Sequence, residues 1–175
     1  MGSWRTLPPD EVARLARALT SVRWSWSVAE AERVVAELGW TVAADPGPGG
    51  LVARTGLAPD DGLAEIGFEF AGDRATEISV PLTDGVGDGD ARAADFRRDA
   101  FATAAQAVTA ELGPPAQRRP GRTPQVRWSA PDGVLRLSDD GAFVSLALLA
   151  GWYAEALDAE ATLPTGADAD DGDEW

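Results

Sequence analysis

The 175-residue chain carries 29 acidic residues against 15 basic ones, a net charge of −14, and contains no Cys and no His. Lys and Asn are absent as well, so every cation is Arg. These gaps remove thiolates, imidazoles and lysine amines, and with them Ser-His triads, Cys nucleophiles, Schiff bases and thiolate metal sites. The charge disfavours nucleic acid, whose affinity rests on phosphate neutralisation by basic side chains.

The first predicted element is a helix over 10–22, with an apolar stripe at Val12, Leu15, Ala16, Leu19 and Val22 and with Pro8 and Pro9 suited to its entry. A second helix is predicted over 28–38. Ser27 and Glu30 have the spacing of a capping box, Gly39 suits a left-handed stop, and Trp40 falls where a Schellman motif places an apolar contact with Val35. The period then shortens to that of strands, over 40–44, 50–57, 63–70 and 75–82, between Gly, Pro and Asp clusters. In EIGFEF, Ile66, Phe68 and Phe70 are expected on a packed face and Glu65, Gly67 and Glu69 on a wet one.

A long helix is predicted over 90–112, with Ala94, Phe101, Ala104, Ala105, Val108 and Leu112 along its stripe and Gly113 at its end. After the loop PPAQRRPGRTP come strands over 125–129, 134–138 and 142–149, joined by the hairpin signals PDG and SDDG. The run AFVSLALLA is the most apolar and is expected to be a central strand. A short helix over 154–161 follows, with Tyr153, Ala156 and Leu157 facing inward. The expected fold is α+β: an antiparallel sheet of about six to seven strands, with two N-terminal helices and one long central helix packed on one face. A single domain is expected over 1–163, followed by a disordered acidic tail over 164–175, where hydrophobicity is too low to offset ordering entropy. No basic n-region leads into an apolar h-region, and no run approaches about 18 apolar residues, so the expectation is a cytoplasmic protein without a membrane partner.

Candidate chemistry is sparse. In DGVGDGDARAAD, Asp84, Asp88, Asp90 and Asp95 hold positions one, five, seven and twelve of an EF-hand-like loop with Gly89 at six. Position three is Val86, position nine is Arg92 and position twelve is not Glu, so a helix-capping loop is the plainer reading. Gly47, Gly49 and Gly50 lack the Lys-Ser/Thr pair of a phosphate loop. Arg118, Arg119 and Arg122 form a basic cluster able to bind a carboxylate or an acidic surface. Trp24 and Trp26 have two readings, a partner-binding platform or anchors of the core, with the capping signals on either side favouring anchors.

The stretches WSWSVAEAERVVAELGW, the helix from Asp95 to Leu112 closing in LGPP, and RRPGRTPQVRWSAPDGVLRLSDDGAFVSLAL together resemble an uncharacterised domain-of-unknown-function family of high-GC Gram-positive bacteria. The resemblance runs from about Trp4 to Ala159 and brings no catalytic motif. It implies association with polymorphic toxin or secretion loci, and hence an immunity or chaperone role. The resulting expectation is a non-enzymatic interaction module without a cofactor, binding a cognate protein such as a basic toxin or a secreted substrate. Two alternatives stand beside it: a Ca/Mg-dependent hydrolase using the four aspartates, and a small-ligand binder with a pocket lined by Trp24, Trp26 or Trp128.

Overall fold

The computed structural model describes residues 3–44, 46–87 and 89–163. Helix α1 (Pro9–Thr20) buries Val12, Leu15, Ala16 and Leu19, the stripe its spacing marks. The second helical segment is a 3-10 turn (Val28–Glu30) that continues as α2 (Ala31–Glu37). Its N-terminus departs from the expected capping box. The Ser27 hydroxyl donates to the Glu30 carboxylate at 3.0 Å, so the two side chains bind each other and make no side-chain cap to the backbone. Its C-terminus is a Schellman motif: Gly39 sits at φ +76°, Trp40 N–H donates to the Val35 carbonyl at 3.0 Å, and Gly39 N–H donates to the Ala36 carbonyl at 3.0 Å.

Eight strands follow: β1 (Thr41–Val42), β2 (Gly50–Arg54), β3 (Leu63–Phe68), β4 (Ala75–Pro81), β5 (Gln117–Arg119), β6 (Gln125–Ala130), β7 (Gly133–Asp139) and β8 (Val144–Leu149). They form one antiparallel sheet in the order β1-β2-β3-β4-β8-β7-β6-β5. The strand beyond the predicted six or seven is β5, cut from the loop read as PPAQRRPGRTP; nothing in its composition marks a strand, and its pairing with β6 makes it one. As expected, β8 is central, between β4 and β7.

Helix α3 (Ala91–Leu112) lies across α1 and the sheet and starts at Asp90, whose carboxylate accepts from Arg92 N–H at 2.9 Å. Its buried line is Ala93, Arg97, Ala100, Ala104 and Val108, displaced by one position at its start from the predicted Ala94. The inner sheet face, including Ile66, Ile78, Leu135, Leu137, Leu146 and Leu148, forms one core with buried residues of α1, α2 and α3.

Two expectations fail at the margins of the sheet. A bulge between Gly67 and Phe68 shifts the register at the end of β3, and Phe70, expected on the packed face, lies in the hairpin turn that follows and is 83% exposed. The last helix, α4 (Gly151–Thr162), lies on the opposite face from α1 and α3: its Ala154 packs with Ala147 and Leu149 of β8, whose side chains point away from the main core. Helices thus cover both faces of the sheet, and Ala156, expected inward, is exposed. The predicted tail at 164–175 lies outside the described residues.

Candidate functional site

The tryptophans of SVRWSW come first. Trp24 and Trp26 are 5% and 6% exposed and stack with centroids 4.5 Å apart and an interplanar angle of 27°. Their segment crosses one end of the sheet. On one side Trp24 N–H donates to the Asp132 carboxylate at 3.1 Å and Trp26 Nε1–H donates to the Asp132 carbonyl at 2.6 Å. On the other, Ala75 N–H donates to the Trp26 carbonyl at 2.7 Å and Val28 N–H to the Asp73 carbonyl at 2.9 Å. Trp128 is also buried, with its Nε1–H donating to the Gly113 carbonyl at 3.1 Å. The three indoles fill the core and offer little surface to a ligand.

The four aspartates of the EF-hand-like loop part company. Asp84 accepts from Arg5 N–H at 2.7 Å, Arg5 Nη2 at 3.0 Å and Asp60 N–H at 2.8 Å, which ties the N-terminal segment to the loop before β3. Burial pushes its carboxyl up, but the donors from Arg5 and Asp60 outweigh this and hold it below the usual range. Asp90 caps α3, Asp95 pairs with Arg98 at 2.7 Å, and Val86 at the third loop position is buried. Asp88 lies outside the described residues. Among the described residues no group of three or more His, Cys, Asp or Glu is placed to hold a metal ion.

The arginine cluster is divided by the pleat of β5, because successive side chains of a strand point to opposite faces. Arg118 lines a shallow cleft with Phe101, Ala105 and Thr109 of α3. Arg119 points the other way and donates to Asp158 of α4 at 2.8 Å, while Arg122 is exposed in the following loop. Sequence reading grouped three neighbours; the structure instead groups Arg119 with Arg127 and Arg136, which stand on the outer face of adjacent strands. Alternation with the apolar Val126, Trp128, Leu135 and Leu137 was the available signal for the last two.

On this outer face the polar side chains form a connected network. Arg127 is 5% exposed and is directly opposite Arg136 in the β6-β7 register. Arg127 Nη1 donates to both oxygens of Asp158, at 3.0 and 3.2 Å, and Nη2 to Gln125 Oε1 at 3.2 Å. Burial, then the like charge of Arg119, lowers the Arg127 pKa against the pull of Asp158. Arg119, with help from Arg127, holds the Asp158 carboxyl below its ordinary range. Beside α4 a cleft of about 250 Å³ opens between Gln117, Arg127, Ser129 and Asp158. Arg136 reaches Glu77 of β4 at 3.3 Å.

Beyond β4 lies the outer face of β2 and β3. There Gly50 of β2 pairs with Gly67 of β3, which pairs with Glu77. The two glycines floor a groove of about 320 Å³ bordered by Val52, Glu65 and Glu77. A Cβ on Gly50 would collide with the Ile66 carbonyl and one on Gly67 with the Thr76 hydroxyl, so the low floor depends on both. Burial pushes the Glu77 carboxyl up; Arg136 draws it down in part, and the nearby Glu65 adds to the rise. Burial is thus the chief reason that the ionised form of Glu77 is disfavoured.

A family model described as a family of unknown function (DUF6301) matches residues 10–150. The chain belongs to that family. The match begins inside the first turn of α1 and ends at Ala150, so it takes in the whole sheet, α1, α2 and α3, and stops where α4 starts. No curated protein and no solved structure matches the chain. Among the described residues no helix is long and apolar enough to cross a membrane.

Proposed function

We propose that this family member is a non-enzymatic protein-interaction module that holds a basic segment of a cognate protein against the outer face of β2, β3 and β4. The observation that carries this reading is the glycine-floored groove, with Glu65 exposed and Glu77 half-buried at its border. An arginine or lysine side chain laid on Gly50 and Gly67 meets two carboxylates whose mutual repulsion it relieves. The net charge of −14 adds long-range attraction for such a partner. An immunity protein or a secretion-chaperone-like protein acting in the cytoplasm fits this description. Its support is the charge, together with the missing nucleophile and base types.

The test is retention of proteins from the native host on the immobilised full chain, in parallel with Glu65→Arg, a surface change that leaves the core alone. The expected result is a basic protein held by the wild type, released as salt rises past about 0.2 M, and absent from the variant. Equal retention on both chains, or none at low ionic strength, refutes the reading.

A further inference from the structure

The other half of the outer face has the opposite chemistry. Arg119, Arg127 and Arg136 bring three guanidiniums onto three neighbouring strands, in a chain whose acids outnumber its arginines 29 to 15. Among the described residues their counter-charges are two: Asp158, shared by Arg119 and Arg127, and Glu77, paired with Arg136. Like charges opposite one another in a sheet are destabilising, and a guanidinium has five donors to satisfy. Here the donors are not all satisfied, since Nε of Arg127 and Nε of Arg136 are both buried without a hydrogen-bond partner among the described residues. An unpaired buried donor is costly, and a carboxylate is the group that removes the cost most completely.

The element that covers these arginines is α4. Of the twelve residues of α4 only Ala154 is fully buried, and its N-terminus has no side-chain cap. Trp152 and Tyr153 pack on the main core, with the Arg74 guanidinium 3.8 Å above the Trp152 ring, and Leu157 and Asp158, at i+3 and i+4 from Ala154, complete the contact line. The family match ends at Ala150, one residue before it.

We propose that the arginine face of β5, β6 and β7 is the docking site for an acidic amphipathic helix of a partner protein, and that α4 occupies the site in the partner's absence. Asp158 stands where a partner carboxylate sits. Ala154 and Leu157 mark where small and branched apolar residues must lie to cover Leu149 and Val134. A second carboxylate, directed at Nε of Arg127 or Arg136, gives the partner its advantage over α4. The site is distinct from the glycine-floored groove, and neither reading requires the other.

The probe is a fluorescein-labelled synthetic peptide with the sequence of residues 151–162, titrated into full-length protein and followed by anisotropy. Wild type binds it weakly, because its own α4 competes. Asp158→Asn removes the carboxylate of the resident helix and leaves the arginines, so it binds roughly tenfold more tightly. Arg127→Gln added to that variant abolishes the gain, and Glu65→Arg leaves it intact. A probe with Lys in place of its aspartate loses binding to every chain.

In the wild type, amide hydrogens of 151–162 exchange much faster than those of β7 and β8. Equal peptide affinity for wild type and Asp158→Asn, or exchange in α4 as slow as in the central strands, overturns the proposal. A doubled mass in light scattering at assay concentrations, from two copies trading α4, replaces the partner helix with a second copy and overturns it equally.

Discussion

At the scale of the residue, the paired indoles of Trp24 and Trp26 show how a single side chain closes a fold. Trp26 has φ +64°, an unusual conformation for a bulky residue, and it is held there from both sides by Asp132 and Ala75. Each aromatic surface is covered by the other ring and the core, while Nε1–H of each finds a carbonyl, Ser27 for Trp24 and Asp132 for Trp26. Truncation at Trp26 removes the stack, the bond to the β6-β7 turn and the seal over that end of the sheet. Trp26→Ala is therefore expected to cost about 3–5 kcal/mol in urea denaturation. Phe70, also aromatic and also in an alternating sequence, is exposed, and Phe70→Ser is expected to stay within about 0.5 kcal/mol of wild type. A cost for Phe70→Ser as large as that for Trp26→Ala would mean that the Phe70 ring is packed rather than exposed.

At the scale of the element, most local signals held, the exception being the Ser27–Glu30 box, whose side chains bind each other instead of the backbone. The stripe of α1, the Gly39 stop and the Trp40 contact each involve residues within a few positions of one another and were legible in the sequence, as was a capping loop before α3, with Asp88 and Asp90 both open as its cap. Features that depend on distant pairing were hidden. Strand β5 exists because Gln117, Arg118 and Arg119 find β6, and β3 shifts register before Phe68 because the partner β4 fits an extra residue at Thr76. The candidate site suffered most from this. Three consecutive-looking arginines suggested a patch, yet alternation sends Arg118 and Arg119 to opposite faces, and the true neighbours of Arg119 come from residues 127 and 158. Placing Arg136 beside Glu77 needs β8 to pair with β4, then β7 with β8, a topology no spacing reveals.

The Gly39 stop offers a test of how far local chemistry governs this element. The space around its absent Cβ is open, with nothing within 4 Å, so a clash has no part in the outcome; only the left-handed backbone at φ +76° resists a side chain. Gly39→Ala is expected to destabilise by about 1 kcal/mol, and Gly39→Asn by less, because Asn tolerates that conformation better. The order of the two variants in thermal melts is the decisive reading. Equal stability of Ala and Gly at this position would show that the helix end is held by Trp40 packing alone.

At the scale of the whole molecule, an acidic chain meets acid in two opposing ways. Asp84 and Asp158 have folded-state pKa values below those of the unfolded chain, for which a carboxylate lies near ~3.9. Their contribution to stability is complete above the unfolded value and is lost as pH falls through the lowered folded value. Glu77 runs the other way: burial raises its folded pKa, so its ionised form is the penalised one and acidification relieves it. Neutralising the excess carboxylates also relieves the repulsion behind the net charge of −14. Stability should therefore hold or rise slightly as pH drops from 7 toward 5, then fall below about pH 4 as the ties from Arg5 to Asp84 and from Arg119 and Arg127 to Asp158 are protonated. Asp84→Asn separates the two effects. It lowers the plateau near neutrality, because Arg5 and Asp60 lose a charged acceptor, and it flattens the acid limb, because one of the groups that must be protonated is gone. Melting temperatures of both chains between pH 3 and 7 check this, and curves that stay parallel across that range would remove Asp84 as a source of the acid transition.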